Sequence, residues 1–267
     1  MTGTGTPPGP WADGHQYERY VGRWSRLVAR AFVARLAVPA RRRLLDVGCG
    51  TGVLTGEVLA VANPASVIGV DPAPAFLAHA AARLTDPRVQ FRAGAAQALP
   101  VTEGAVDAVV SGLVLNFVPD ASAALAEMCR VATAGATVAL YVWDYAEGME
   151  LMRRFWDAAV ELDPGARELD EGVRFPLCRP DRLHELLTAG GLHDVAVEAI
   201  VVPTVFADFD DLWTPFLGGT CPAPGYVLAL GDQDREALRE VLRTRLPAAE
   251  DGSIHLTARA WTVRGRR

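Results

Sequence analysis

The hydrophobic and polar positions change their period along the chain, and these changes predict alternating strands and helices. Between Leu44 and Asp144, short apolar runs alternate with segments whose apolar residues recur every three or four positions. The predicted strands are 44–47, 66–70, 89–92, 106–111 and 137–143, and the predicted helices are 52–62, 72–84 and 119–131. This alternation is typical of a parallel sheet with helices on both faces.

The flanking regions have different patterns. Residues 1–14 are rich in Gly, Thr and Pro, which predicts a disordered leader, and residues 15–40 predict an N-terminal helical cap with its helix over 17–37. Beyond residue 144, helices are predicted at 149–160, from 179 to Gly190 and at 233–245. Two further strands are predicted at 195–202 and 254–263.

The long connection between the last two strands has a predictable location. If strand 195–202 runs parallel to strand 137–143 and strand 254–263 runs back, residues 204–253 lie at the carboxyl edge of the sheet. Open α/β sheets bind ligands at that edge. We therefore expect residues 41–267 to form one Rossmann-like, doubly wound domain of seven strands. The sheet is mostly parallel with an antiparallel last strand, and residues 204–253 form a lid. The aromatic residues of the lid either form an apolar substrate wall or pack the lid onto the sheet.

Composition and charge narrow the class of protein. The chain has 267 residues, is 50% hydrophobic and carries a formal net charge of −6, which disfavours a nucleic-acid partner. Its four cysteines form no Cys-x-x-Cys pair, so neither a metal site nor a disulfide framework is expected. The sequence has no signal-peptide pattern and no uncharged apolar run of ~18 residues. We expect a cytoplasmic protein without a membrane partner, and its oligomeric state is left open.

A glycine-rich turn follows the first predicted strand. Gly48, Gly50 and Gly52 lie between that strand and a helix, where glycines let a ligand approach the backbone and the helix N–H groups point outward. Asp71 ends the second strand 19 residues after Gly52, close to the ~20 expected of an acid that binds ribose hydroxyls. Together these features predict a site for an adenosine-bearing cofactor.

The spacing of the glycines separates the nucleotide cofactors. A dinucleotide fingerprint needs Gly or Ala at the third position after its second glycine, and Val53 occupies that position. The Gly-Lys-Ser/Thr ending of a phosphate-binding P-loop is also missing. An NAD-linked oxidoreductase and a P-loop phosphate site are therefore disfavoured.

The ordered motifs of the core resemble those of class I S-adenosylmethionine (SAM)-dependent methyltransferases. The similarity is to the small-molecule type 11, or ubiquinone/menaquinone-biosynthesis-like, branch. The motifs are LLDVGCGTG (44–52), VIGVDPA (67–73), VQFRAGAAQALP (89–100), VDAVVSGLVLNFVPD (106–120) and ALAEMCRVATAGATVALYVWD (124–144). Tyr-x-x-Tyr-x-Gly-x-Trp at 17–24 and Ala-Arg-Ala-Trp at 258–261 also resemble the family.

The resemblance implies SAM as the cofactor and gives individual residues a role. Asp71 is expected to hold the ribose diol, and residues 95–97 to meet the adenine edge. The expected cofactor-binding residues are Asp46, Gly48, Cys49, Gly50, Asp71, Pro72, Ala95, Ala96, Gln97, Ser111 and Leu113, with Tyr20 and Trp24 as a cover. Many relatives have Asp at the position of Ala95, whereas the Ala95 side chain cannot accept a hydrogen bond from the adenine amino group.

The resemblance further implies direct, SN2-type transfer of the methyl group to an oxygen, nitrogen or carbon atom of a small, partly apolar metabolite. Family members that methylate base or glutamine amines have an Asn/Asp-Pro-Pro-Tyr-like run after strand four, whereas this chain has Ser-Gly-Leu-Val at 111–114. The expected substrate residues are Asn116, Trp143, Tyr145, Phe206 and Trp213. The candidate general bases are His255, His15 and Asp144. The alternative is a SAM-binding protein of the same fold that transfers no methyl group.

Overall fold

The computed structural model describes residues 22–218 and 221–267, which form a seven-stranded sheet with helices on both faces. The strands are β1 (Arg43–Val47), β2 (Ser66–Asp71), β3 (Val89–Ala93), β4 (Val106–Gly112), β5 (Ala132–Trp143), β6 (His193–Phe206) and β7 (Ile254–Arg266). The α-helices are α1 (Arg23–Leu36), α2 (Val53–Ala62), α3 (Pro74–Arg83), α4 (Ala121–Val131), α5 (Glu150–Leu162), α6 (Glu171–Arg174), α7 (Pro180–Ala189), α8 (Phe209–Trp213), α9 (Pro222–Ala229) and α10 (Asp232–Arg245). Short 3₁₀ helices span Leu115–Phe117, Pro164–Leu169 and Thr214–Leu217. None of the helices in these described ranges has the length and apolar character needed to cross a membrane.

The strand order is β3-β2-β1-β4-β5-β7-β6. Strands β1 to β5 are parallel to their neighbours, whereas β7 pairs antiparallel with both β5 and β6. This arrangement confirms the predicted doubly wound sheet with an antiparallel last strand. Because β1, β2, β4 and β5 run in the same direction, their carboxyl ends meet at one edge of the sheet.

The sheet separates two hydrophobic cores, because successive side chains of a strand point to opposite faces. Leu44 of β1 packs on one face, in the core that includes residues of α1, α2 and α5. Leu45 packs on the other face, in the core that includes residues of α4 and α7. Both side chains are almost fully buried, which explains why β1 has a continuous apolar run instead of an alternating one.

Strand β6 is longer than predicted, because the sequence pattern ended it before Pro203. Pro203 lies opposite Thr257 of β7, and the Thr257 N–H donates to Glu150 Oε2, at 2.8 Å, on the side away from β6. Pro203 and Thr257 therefore form a pair with no backbone hydrogen bonds between them. The Pro203 nitrogen faces the open side of an outer strand, where proline is tolerated. The strand continues to Phe206.

The segment between β6 and β7 forms a helical insertion that packs beside the sheet. Helix α10 confirms the predicted helix at 233–245, but α8 and α9 were not predicted, because they are too short to show a helical period. The rings of Phe216 and Phe155 stack at 4.7 Å, and those of Tyr226 and Trp156 lie 5.7 Å apart. The aromatic residues of the insertion thus pack it against α5.

The N-terminal cap is described only from residue 22 onward. Helix α1 confirms a helix in the predicted region, and its buried stripe includes Trp24, Val28 and Phe32. The predicted leader, His15 and Tyr20 lie outside the described residues.

Candidate functional site

A cavity of about 460 Å³ lies at the carboxyl edge of the sheet, within the ~300–1,000 Å³ range of small-molecule sites. The residues that line it are Ser25, Gly48, Cys49, Gly50, Thr51, Val53, Leu54, Asp71, Pro72, Ala73, Phe76, Gly94, Ala95, Ala96, Gln97, Gly112, Leu113, Val114, Phe117, Val118, Pro119 and Tyr141. The lining residues at and after the ends of β2 and β3, from 71 to 76 and from 94 to 97, form what we term the β2–β3 end. The lining residues from 112 to 119, together with Tyr141 of β5, form the β4–β5 end.

The glycine turn forms the middle of the cavity wall. Gly48 has φ +73°, and a Cβ there would lie 2.5 Å from the Val114 side chain. Gly50 has φ +52°, and a Cβ there would meet nothing within 4 Å. The turn thus needs glycine conformations, and at Gly50 it leaves open space in which a ligand can approach the backbone.

Asp71 presents its carboxylate at the β2–β3 end. The Gly50 N–H donates to Oδ2 at 2.9 Å, and the Ala73 N–H donates to Oδ1 at 2.8 Å. Burial raises the pKa of Asp71, and these two backbone hydrogen bonds oppose the rise. Each carboxylate oxygen can accept a further hydrogen bond, so Asp71 has the acceptors that a vicinal diol requires.

The rest of the β2–β3 end is formed by small and apolar groups. Pro72, Ala73 and Phe76 lie on one stretch of the wall, at the start of α3, and Gly94 to Gln97 follow β3. The Ala98 N–H donates to the Ala95 carbonyl oxygen at 3.0 Å, which fixes this second stretch in a turn. A flat, largely apolar group with polar edges fits between such walls.

At the β4–β5 end the backbone leaves β4 in a strained conformation. Leu113 has φ +61°, a value that costs a residue with a side chain ~1–2 kcal/mol. Its N–H donates to the Tyr141 carbonyl oxygen at 2.8 Å, which holds the strained residue against β5. Phe117, in the 3₁₀ helix that follows, adds an aromatic ring to the wall.

Comparison with known proteins agrees with this geometry. A family model described as a methyltransferase domain matches residues 45–140. A demethylmenaquinone methyltransferase of Roseiflexus sp. (strain RS-1) is 33% identical over 184 residues, 63% of this chain and 75% of that protein. A trans-aconitate 2-methyltransferase of Deinococcus radiodurans is 29% identical over 215 residues, 79% of this chain and 80% of that protein. The phosphoethanolamine N-methyltransferase 2 of Haemonchus contortus, solved with S-adenosyl-L-methionine, superposes with a TM-score of 0.56 at 16% identity, over 90% of this chain and 53% of that one.

This chain belongs to the SAM-dependent methyltransferases. It is therefore an enzyme of the small-molecule type whose cofactor is SAM. The open backbone at Gly50 and the carboxylate of Asp71 fit the ribose-bearing part of that cofactor.

The methyltransferase brings most of the expected cofactor-binding residues to the cavity wall. Those that line it are Gly48, Cys49, Gly50, Asp71, Pro72, Ala95, Ala96, Gln97 and Leu113. Three others that the structure describes, Trp24, Asp46 and Ser111, do not line it, and Tyr20 lies outside the described residues. Trp24 is 4% exposed and packs edge-on against Phe206 at 5.1 Å, whereas the neighbouring Ser25 reaches the cavity.

Asp46 and Ser111 lie behind the wall of the methyltransferase cavity. The Ser111 hydroxyl donates to the Val47 carbonyl oxygen at 2.7 Å. Asp46 Oδ2 accepts from the Thr55 hydroxyl at 2.6 Å, while its buried Oδ1 has no hydrogen-bond partner. Burial raises the pKa of Asp46 to about 7, and the nearby Asp71 charge adds to the rise. Asp46 therefore supports the turn from below instead of facing the cavity.

The expected substrate residues require correction. Trp143, Phe206 and Trp213 are at most 4% exposed and belong to the hydrophobic core, so they do not form a wall of this cavity. Asn116 and Tyr145 do not line it either; the Tyr145 ring packs against Phe175, which also contacts the cavity-lining Phe117. Within 204–253, no residue that the structure describes contributes to the wall.

The candidate bases of the methyltransferase are also placed away from the cavity. Asp144 accepts from Arg259 Nε at 2.6 Å and is 2% exposed, so its carboxylate is held in an ion pair. His255 is exposed, with its Nε2 3.0 Å from the Ser253 hydroxyl oxygen. Neither residue lines the cavity.

Sequence reasoning missed several residues of the wall, among them Phe76, Phe117 and Tyr141. Phe76 and Phe117 follow the ends of β2 and β4, so their places in the chain were a usable signal. Tyr141 precedes the end of β5 by two residues and shares a face with Trp143. The periodicity identified that face but did not indicate which of the two residues reaches the cavity.

Proposed function

We propose that the methyltransferase binds SAM across the cavity, from the β2–β3 end toward the β4–β5 end. Asp71 would hold the ribose diol, and Pro72, Phe76 and residues 95–97 would enclose the adenine. The glycine turn and Leu113 would lie along the methionine part. The observation that carries this assignment is the Asp71 carboxylate, which is fixed by two backbone N–H groups beside the open surface of Gly50.

We propose a neutral, partly apolar metabolite as the methyl acceptor. Among the described residues that line the cavity, the sole charged side chain is the Asp71 carboxylate. The β4–β5 end is formed largely by apolar groups, including Leu113, Val114 and Phe117. A polyanionic acceptor would meet no cation on this part of the wall, so nothing would offset the free-energy cost of removing water from its charges.

The chain's contribution to the reaction is alignment and exclusion of water. SAM supplies a methyl group that its sulfonium already activates, so direct transfer to an oxygen, nitrogen or carbon nucleophile needs a fixed geometry above all. The backbone turns that follow β1 and β4 fix one side of that geometry. The apolar residues of the β4–β5 end keep the nucleophile away from bulk water.

The cofactor assignment is tested by calorimetric titration of SAM into the wild type and the Asp71→Asn variant. Because hydrogen bonds to a charged group contribute ~1.5–3 kcal/mol, we expect the variant to bind roughly 10- to 100-fold more weakly. Asp232→Asn is the matched control, since that carboxylate lies at the start of α10, away from the cavity, and is fully exposed. Equal SAM affinity of the Asp71 variant and the wild type would reject the assignment.

The acceptor class is tested by measuring S-adenosylhomocysteine release with two panels of small molecules. One panel contains neutral phenols and hydroquinones, and the other contains di- and tricarboxylic acids, including trans-aconitate. We expect turnover with members of the neutral panel. Turnover confined to the acid panel would overturn the proposed acceptor class while leaving the cofactor assignment intact.

A further inference from the structure

We infer that the side chain of Val114 sets the width of the acceptor site, and that the acceptor carries no bulky group next to its nucleophilic atom. This inference rests on the proposed function, since it uses the direction in which SAM is proposed to bind. Val114 follows the strained Leu113 after β4 and lines the cavity, and it was not among the expected site residues.

The Val114 side chain lies against the glycine turn. A Cβ built on Gly48 would lie 2.5 Å from both methyl carbons of Val114 and 2.9 Å from the Val114 Cβ. The isopropyl group thus occupies the space that a side chain at residue 48 would take. Because residue 48 is a glycine, Val114 can cover the turn at the end of β1.

The surroundings of Val114 differ from those of the apolar residues near it in the chain. Among the described residues, Leu113 packs against the core that includes α1, and Val118 packs against the core that includes α4, whereas Val114 belongs to neither core. Val114 is half-buried and lines the cavity. Because its isopropyl group packs on the turn and in neither core, the exposed part of the residue faces the cavity.

The backbone on both sides holds this side chain in place. The Leu113 N–H donates to the Tyr141 carbonyl oxygen at 2.8 Å, and the Phe117 N–H donates to the Val114 carbonyl oxygen at 2.8 Å. Val114 is itself the N-cap of the 3₁₀ helix Leu115–Phe117. The χ1 rotation of a β-branched side chain is also restricted. The isopropyl group is therefore a fixed part of the wall.

The location of Val114 along the sheet is next to the methyl group that is transferred. The sulfonium of SAM joins the ribose to the methionine chain. With the ribose at Asp71 of β2 and the methionine part along Leu113 after β4, the sulfonium would lie over β1, the strand between those two. Gly48 follows β1 directly. The side chain that covers Gly48 therefore borders the space in front of the sulfonium.

The acceptor must enter this space in order to react. Direct transfer requires the nucleophilic atom ~3–3.5 Å from the methyl carbon, in line with the bond to sulfur. Groups attached next to the nucleophilic atom then meet the Val114 methyl groups, whereas groups on the far side of the acceptor do not. The wall thus fits a neutral acceptor such as a phenol with hydrogen at both ortho positions, and it disfavours a phenol with ortho substituents.

The test compares two ligands that differ only in their ortho substituents. In protein saturated with S-adenosylhomocysteine, ligand-detected NMR titration measures the dissociation constants of phenol and of 2,6-dimethylphenol. We expect the wild type to bind phenol at least as tightly, although the two methyl groups add apolar area. Val114→Ala removes two methyl groups from the wall and makes room for those of the ligand. It should therefore tighten 2,6-dimethylphenol binding relative to phenol by about 10-fold, or ~1.4 kcal/mol. Val114→Thr keeps nearly the same shape and should keep the wild-type ratio of the two dissociation constants.

Other outcomes separate this inference from the proposed function. The same ratio in the wild type and Val114→Ala would overturn the role of Val114, and so would tighter binding of 2,6-dimethylphenol than of phenol by the wild type. An equal shift in Val118→Ala, which removes two methyl groups from another valine of the wall, would overturn it as well. Failure of the wild type to bind phenol at all would also overturn it. S-adenosylhomocysteine affinity is measured beforehand by calorimetry, and its absence in the wild type would reject the proposed cofactor site itself.

Discussion

Glu171 is a carboxyl group buried inside the helical part of the molecule, and its change to Gln should alter how stability depends on pH. It is 2% exposed at the start of α6, and its Oε2 accepts from the Trp156 indole N–H. The charged groups nearest to it are Asp170 and Arg153, which form an ion pair with each other, and the Cys221 thiol also lies close.

Burial raises the pKa of Glu171 from 4.5 to about 7. Below pH 4.5 the carboxyl is protonated in both the folded and the unfolded chain, so folding carries no ionisation penalty. Between pH 4.5 and 7 the unfolded chain ionises while the folded one stays neutral, so stability is lost as pH rises. At 1.36 kcal/mol per pKa unit, the loss reaches about 3 kcal/mol above pH 7.

The Glu171→Gln variant keeps an acceptor for the Trp156 N–H and cannot ionise. We expect its free energy of unfolding to rise relative to wild type by about 3 kcal/mol between pH 4 and pH 8. Urea denaturation followed by far-ultraviolet circular dichroism at several pH values measures this difference. Glu168→Gln is the control, because that side chain is exposed on the preceding 3₁₀ helix. A difference between Glu171→Gln and wild type that does not change with pH would refute the reasoning.

Three further predictions concern the glycine turn, an ion pair and a thiol. Gly48→Ala combines a left-handed φ with a clash against the Val114 side chain, so it should lower the free energy of unfolding by about 2–4 kcal/mol. Gly50→Ala has the φ cost alone and should lower it by about 1 kcal/mol. Equal losses of stability for the two variants in urea denaturation would contradict this. Gly50→Ala should nevertheless weaken SAM binding in calorimetry, because its methyl group would occupy the open side of the turn. Arg259→Met should destabilise the fold by about 2 kcal/mol, because it leaves the buried Asp144 carboxylate without its cation. The double variant Arg259→Met/Asp144→Asn should recover part of this loss, since the amide that replaces the carboxylate carries no charge. A double variant less stable than Arg259→Met would refute this explanation. Burial raises the pKa of the Cys49 thiol, so iodoacetamide at pH 8 should label it slowly in peptide mass spectrometry, and rapid labelling in the folded protein would contradict its burial.

The elements of the core could be predicted from sequence because their determinants are local. The turn at Gly48, the stop at Asp71 and the apolar runs of β1 and β4 each lie within a few residues of the structure that they specify. Their positions relative to one another then follow from the rules for parallel sheets. The strand order and the placement of the glycine turn were therefore within reach of the sequence.

The parts that could not be predicted depend on residues far apart in the chain. The ion pair that removes Asp144 from the list of bases joins two residues 115 positions apart. Phe206 is core because Trp24, at the other end of the sequence, packs against it. Likewise, Val114 packs on the turn because residue 48 is a glycine, and an apolar period cannot show such a pairing.

Pro203 has a consequence for how copies of this protein meet one another. In the sheet of the described residues β6 is an outer strand, and Val201 and Val205 are about half exposed on it. Exposed β-branched residues on an outer strand favour recruitment of another strand, which is a route to aggregation. A strand that docked along β6 would find no backbone donor at residue 203, in the middle of this stretch. The proline thus removes one backbone donor from the open edge of β6, which weakens pairing with a further strand at that point.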